Sequence, residues 1–167
     1  MIAPDLPPAP APHLEDLEGD ALALFQFSDV PAPRGHLGTV DWYLCGAVSR
    51  LQASGRFPAA PGSAALFTPQ GKFRVARVLV FGLGPRQGMS LQTLYRSSYD
   101  AARALANLRA SVIYLDLPYQ AFPRRNPMSI RKNFLEGFLA EYERLRGAPP
   151  TVHVLPPRGL TPEPAAD

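Results

Sequence analysis

The stretch from Arg74 to Gly88, RVARVLVFGLGPRQG, limits what this chain can fold into more than any other. Val75, Val78, Leu79, Val80, Phe81 and Leu83 form its densest β-branched and aromatic run. A short apolar run closed by Gly and Pro predicts a strand buried on both faces, as in a largely parallel sheet. A loop with Gly82, Gly84 and Gly88 follows, and Ser90 then opens a helical pattern. Strand, glycine loop and helix make an α/β connection, and α/β domains place ligands on the same frame.

The flanking segments fit around this strand. Asp20 to Phe27 reads as a first strand, and Ser28 to Gly38 as a loop. Thr39 is a candidate N-cap and Asp41 a favourable first-turn charge for an amphipathic helix over 40–53. Val40, Leu44, Ala47, Val48 and Leu51 mark its apolar face, with Trp42 and Cys45 on a neighbouring face. Residues 63–68 and 74–81, joined by Pro69-Gln70-Gly71-Lys72, predict an antiparallel hairpin. Ser90 caps a helix over about 91–108, and Ser111 to Leu115 is the next strand. Ser129 is the expected cap of a third helix with the stripe Ile130, Phe134, Phe138, Tyr142 and Leu145, and residues 151–155 form a last strand. The order β-α-β-β-α-β-α-β predicts a three-layer α/β sandwich: a mixed, mostly parallel sheet with helices on both faces.

Composition bounds the ends of this domain. Of the 20 prolines, five fall between Pro4 and Pro12 and six between Pro149 and Pro164. Proline cannot continue a helix or donate within a central strand, so residues 1–18 and 157–167 are expected to be disordered or extended tails around one domain. Residues 1–29 hold six acidic groups and no Lys or Arg, while the remainder holds 17 basic and 8 acidic groups. The basic residues are scattered and are 15 Arg to 2 Lys, which argues for a solvated surface over a nucleic-acid groove. No basic, apolar leader and no membrane-length apolar run is present, so the expected compartment is the cytoplasm.

Few residues offer chemistry. Gly82, Gly84, Arg86 and Gly88 form a candidate anion loop, because backbone amides and a following helix N-terminus can approach a phosphate. Against it, the third glycine falls outside the dinucleotide spacing and Pro85 removes an amide, which favours a plain strand-to-helix turn. Arg124 and Arg125 follow another strand's C-terminal end and would share the rim if that strand neighbours the one ending at Phe81. His13, His36 and His153 lack ligand-spaced partners, so no metal and no cofactor is expected. Cys45, inside a predicted helix, reads as a small buried apolar residue, and Glu141 and Glu143 as a solvated helix face. No catalytic constellation emerges.

Four segments in order, DWYLCGAVSRLQASGRF (41–57), RVLVFGLGPRQ (77–87), YRSSYDAARALANLRA (95–110) and VIYLDLP (112–118), resemble the N-terminal domain of the leucyl aminopeptidase family of metallopeptidases. The resemblance spans roughly residues 20–145 and implies a macro-domain-like α/β sandwich. It implies no chemistry, since the family's two-metal site belongs to a separate C-terminal domain. Lys72 and Lys132 stand in contexts that match neither metal-site lysine motif. The reading that follows is a non-catalytic, stand-alone domain acting in protein interaction, assembly or regulation, with a protein partner or self-association. The alternatives are a macro-like module for a nucleotide or ADP-ribose-like molecule, and DNA binding.

Overall fold

The computed structural model describes residues 13–157. The rest of the two expected tails, 1–12 and 158–167, lies outside the described residues. Five strands, β1 (Gly19–Gln26), β2 (Ala64–Phe67), β3 (Val75–Gly82), β4 (Val112–Leu115) and β5 (Thr151–Val154), form one sheet in the order β2-β3-β1-β4-β5. β2 pairs antiparallel with β3, as the hairpin reading predicts, and every other pairing is parallel. The helices are α1 (Gly35–Tyr43), α2 (Ala47–Ala53), α3 (Leu91–Asn107) and α4 (Pro127–Arg146).

Alternation along the two central strands builds a core on each face of the sheet. In β1, Ala21, Ala23 and Phe25 join Leu79 and Phe81 of β3 beneath α3 and α4. Leu22 and Leu24 join Val78 and Val80 on the opposite face, against Leu37, Val40 and Val48 of α1 and α2. Side chains of this size each contribute about 1.5–3 kcal/mol when fully buried. The result is the mixed, mostly parallel three-layer sandwich expected from the sequence.

The helix expected over 40–53 is two helices. α1 begins at Gly35, so Thr39 lies inside it and its hydroxyl donates to the Gly35 carbonyl (3.3 Å). The break comes at Cys45 and Gly46, both at positive φ. Asp41 is the reason the chain restarts there. Its carboxylate accepts from the Val48 and Ser49 amides (2.8 and 3.2 Å), capping α2 across the break. Cys45 is therefore on a corner and exposed, which corrects the expectation of a buried thiol. Likewise α4 is capped by Asn126, whose side chain accepts from the Met128 amide (2.8 Å) with Pro127 in the first turn, and Ser129, the expected cap, is already helical. Residues 13–18, assigned to the tail by their neighbours' composition, carry a 3-10 turn over Leu14–Asp16 and bury Leu14 and Leu17.

α3 and α4 pack tightly for two reasons. Gly137 has no side chain, and a Cβ there would stand 2.3 Å from Ser98 Oγ and 3.1 Å from the Tyr95 ring. Glu141 is buried, not solvated as its helix position suggests. It accepts from Arg144 Nε (2.7 Å) and from Arg103 Nε of α3 (2.8 Å). The Arg144 bond first, and then the Arg103 bond, holds its carboxyl down at about 2 against an ordinary 4.5.

Gly137→Ala is expected to destabilise the fold by about 1–3 kcal/mol, because overpacking forces the helices apart; denaturant unfolding measures it. Because the Glu141 pKa is depressed in the folded state, its contacts stabilise at neutral pH and are lost as pH falls from about 4.5 toward 2. Glu141→Gln should lower the urea midpoint at neutral pH and flatten the loss of stability across that acid window.

Candidate functional site

The chain leaves β1 toward α1 on one sheet face and leaves the adjacent β4 toward α4 on the other. Where neighbouring connections part in this way, a crevice opens beyond the strands' C-terminal ends. A cavity of about 450 Å³ lies here. The loop after β1 and the start of α1 supply Arg34 and His36, and the loop after β4 supplies Asp116, Tyr119, Phe122 and Arg125. Arg86 reaches in from the loop after β3.

The polar groups are held in place. His36, 2% exposed, meets Asp116 Oδ1 through Nδ1 at 2.9 Å, which fixes the ring's orientation. Arg86 donates from Nη2 to the Gln120 carbonyl (2.7 Å), tying the β3 loop to the β4 loop. Burial pushes the Tyr119 phenol above its ordinary pKa, with Arg131 opposing the shift and Asp116 adding to it. Three cationic side chains, an oriented imidazole and an aromatic and proline wall suit an anion joined to a flat or apolar body.

The candidate glycine loop is placed differently from a phosphate cradle. The amides of residues 82, 83, 84, 86 and 87 are already taken by the protein. Gly82 N–H donates to Ser63 O (2.8 Å), Leu83 N–H to Gln26 O (3.0 Å) and Gly84 N–H to Ala59 O (2.9 Å). The Asp29 carboxylate accepts from the Arg86 and Gln87 amides (2.7 and 3.4 Å) and so fills the position an anion would take. The Arg86 amide in turn holds the Asp29 carboxyl below its ordinary pKa, against the opposing effect of desolvation and with help from the Gln87 amide. Gly82 is required for packing, since a Cβ there would lie 2.3 Å from the Ala60 carbonyl oxygen. Gly84 and Gly88 take positive φ in the turn that follows.

Of the sequence candidates, Arg86 and Arg125 line the cavity, whereas Arg124, Gly82, Gly84 and Gly88 do not. β4 does not neighbour β3, because β1 lies between them, yet their loops still share the rim. Arg34, His36, Asp116, Tyr119 and Phe122 were not singled out by sequence reasoning as site residues. The His36–Asp116 pair is separated by 80 positions, and only the parallel β1–β4 pairing brings it together. Among the described residues, no group of three His, Cys, Asp or Glu side chains is placed to hold a metal ion. No helix among them is long and apolar enough to cross a membrane.

Fold and site together define a macro-like α/β sandwich with a rim cavity. The macrodomain of Mycobacterium tuberculosis DarG superposes with a TM-score of 0.65 at 12% identity, covering 89% of this chain and 96% of that one. A tomato leucine aminopeptidase variant superposes at 0.61 with 19% identity, covering 87% of this chain and 30% of that one. Residues 24–146 match the model of the cytosol aminopeptidase family, N-terminal domain, and the chain belongs to that family. A probable cytosol aminopeptidase from Cyanothece sp. (strain PCC 7425 / ATCC 29141) is 28% identical over 122 residues, 73% of this chain and 24% of the relative. The chain thus spans about a quarter of that relative, and the match is to the family's N-terminal domain and not to its catalytic domain.

Asp29→Ala should free the Arg86 and Gln87 amides. Hydrogen exchange at those two amides is expected to accelerate while exchange in β1 and β3 is unchanged.

Proposed function

We propose that this chain is a non-catalytic binding module of the aminopeptidase N-terminal family, and that its rim cavity takes a small phosphate-bearing molecule with a flat ring. One observation carries the reading: Arg34, Arg86 and Arg125 converge on a single cavity whose wall includes Tyr119 and Phe122. Arginine offers planar, paired donors that match phosphate oxygens, and aromatic walls suit a base or sugar-linked ring. Nucleotides and ADP-ribose are the ligand class with both parts. The macro-like fold is consistent with this but does not by itself assign a ligand.

Calorimetry against ADP-ribose and simple nucleotides tests the reading, with mass spectrometry of the recovered ligand. Saturable binding with the ligand returned intact is expected. Arg125→Ala and Arg34→Ala should each weaken it by roughly tenfold, the scale of one lost charge-assisted contact of about 1.4 kcal/mol. No heat at millimolar ligand rejects the reading, and turnover rejects its non-catalytic part. A nucleic-acid ligand using the same arginines would show affinity falling steeply with salt along the length of a strand.

A second reading, interaction or assembly with a protein partner, is favoured by a separate surface feature. Trp42 on α1 is 75% exposed beside Tyr43.

A further inference from the structure

Two polar groups on the wall of the rim cavity have bonding capacity that the fold leaves unused. His36 and Tyr119 are 2% and 8% exposed, and both line the cavity. Nδ1 of His36 is engaged with Asp116. A carboxylate oxygen only accepts, so Nδ1 carries the hydrogen and Nε2 is left as the ring's acceptor. Nε2 meets no hydrogen-bond partner among the described residues, and neither does the Tyr119 hydroxyl. Nor is either atom sealed in. Among the described residues, the side-chain polar atom that is both buried and unpartnered is Asn133 Oδ1, elsewhere on α4. Both atoms therefore open on the cavity their residues line. The Tyr119 phenol, raised first by burial, also feels the Asp116 carboxylate that bonds His36, so the two groups share one neighbourhood.

Their chemistry differs from that of the arginines around them. A guanidinium only donates, and it suits phosphate oxygens. An imidazole acceptor has nothing to give an ionised phosphate oxygen, which also only accepts, and it calls for a donor on the ligand. A phenol hydroxyl both donates and accepts. A pair of sugar hydroxyls answers both groups, one donating to Nε2 and the other exchanging a hydrogen bond with the phenol. In a nucleotide the part that joins phosphate to the flat ring is a ribose, and it carries such a pair. A site that bonds a ligand hydroxyl discriminates against the analogue without it, because the analogue leaves buried polar groups unpaired.

We propose that His36 and Tyr119 are the specificity residues of the rim cavity, and that they bond the hydroxyls of a free ribonucleotide through Nε2 and the phenol oxygen. Asp116 is a positioning residue, because it fixes the tautomer that makes Nε2 an acceptor. The inference rests on the ligand reading given above and narrows it. A DNA strand has no 2′-hydroxyl and its internal 3′-oxygens are esterified, so it offers this pair nothing.

ADP and 2′,3′-dideoxy-ADP are titrated by calorimetry into the native chain and into Tyr119→Phe and His36→Phe. The native chain should bind ADP about tenfold or more tightly than the dideoxy analogue, the scale of one or two hydrogen bonds to buried groups. Each variant should weaken ADP by about three- to tenfold and leave the dideoxy analogue unchanged. A loss shared equally by the two nucleotides marks a structural role and overturns the proposal. Nitrogen NMR of the His36 ring at about pH 8 should show a hydrogen on Nδ1 and none on Nε2; a hydrogen on Nε2 overturns it as well. Circular dichroism verifies that each variant keeps its fold, and Tyr119→Phe carries the test if the larger change does not. Equal affinity of the native chain for both nucleotides overturns this inference and leaves the cavity reading standing. No heat from either also overturns it, and the cavity reading falls with it only if ADP-ribose gives none.

Discussion

Everything in this fold depends on β1 being apolar on both faces. A strand covered above and below has no solvent side, so its neighbours β3 and β4 must pair in register with it and the helices must divide between the layers. Leu22 and Leu24 face α1 and α2, and Ala21, Ala23 and Phe25 face α3 and α4. The division of helices is what parts the connections after β1 and β4. The rim cavity is therefore a product of the core: the same alternation that fills the two layers leaves a gap where they separate at the sheet's C-terminal edge.

The Gly82–Gly88 loop shows why a glycine pattern alone is poor evidence for a phosphate site. A cradle needs backbone amides without partners, and here the amides of 82, 83, 84, 86 and 87 all donate to the protein. Asp29 does what a bound anion would do. It supplies the negative charge, satisfies the loop and ties the end of β1 to the turn after β3. What remains available is the side chain of Arg86, which the closed loop aims across the rim to Gln120 and the cavity.

The legible parts of the sequence were those set by local periodicity. The strand run 75–82, the Ser90 cap and the α4 stripe from Ile130 to Tyr142 are short-range patterns, although Leu145, read as the stripe's last member, is exposed; Ser90 does accept from the Thr93 amide as read. The unread parts depend on contacts between distant residues. Asp41 looks like a first-turn charge until the chain breaks at Cys45 and brings the amides of Val48 and Ser49 to it. Glu141 looks solvated until α3 places Arg103 beside it. His36 and Asp116 carry no local sign of each other, and Arg34 gives none of its site, because both depend on which strands become neighbours. Leu14 and Leu17 were hidden by their surroundings, since proline-rich composition averages over two leucines that the core takes up.

The fold treats its two groups of arginines differently. Guanidinium groups gathered around one cavity repel each other, and the repulsion is weakened in water but strengthened by low-dielectric walls such as Leu117, Phe122 and Ile130. A fold selected only for stability would offset them with carboxylates, as it does at Glu141, where two arginines share one buried acid. At the rim the one lining carboxylate, Asp116, is engaged with His36. Asp29, on the amides of the β3 loop, also offsets part of the charge of Arg86, so it is Arg34 and Arg125 that an anion would meet under the proposed reading. That asymmetry between the two arginine clusters is what favours the proposed ligand reading of the rim.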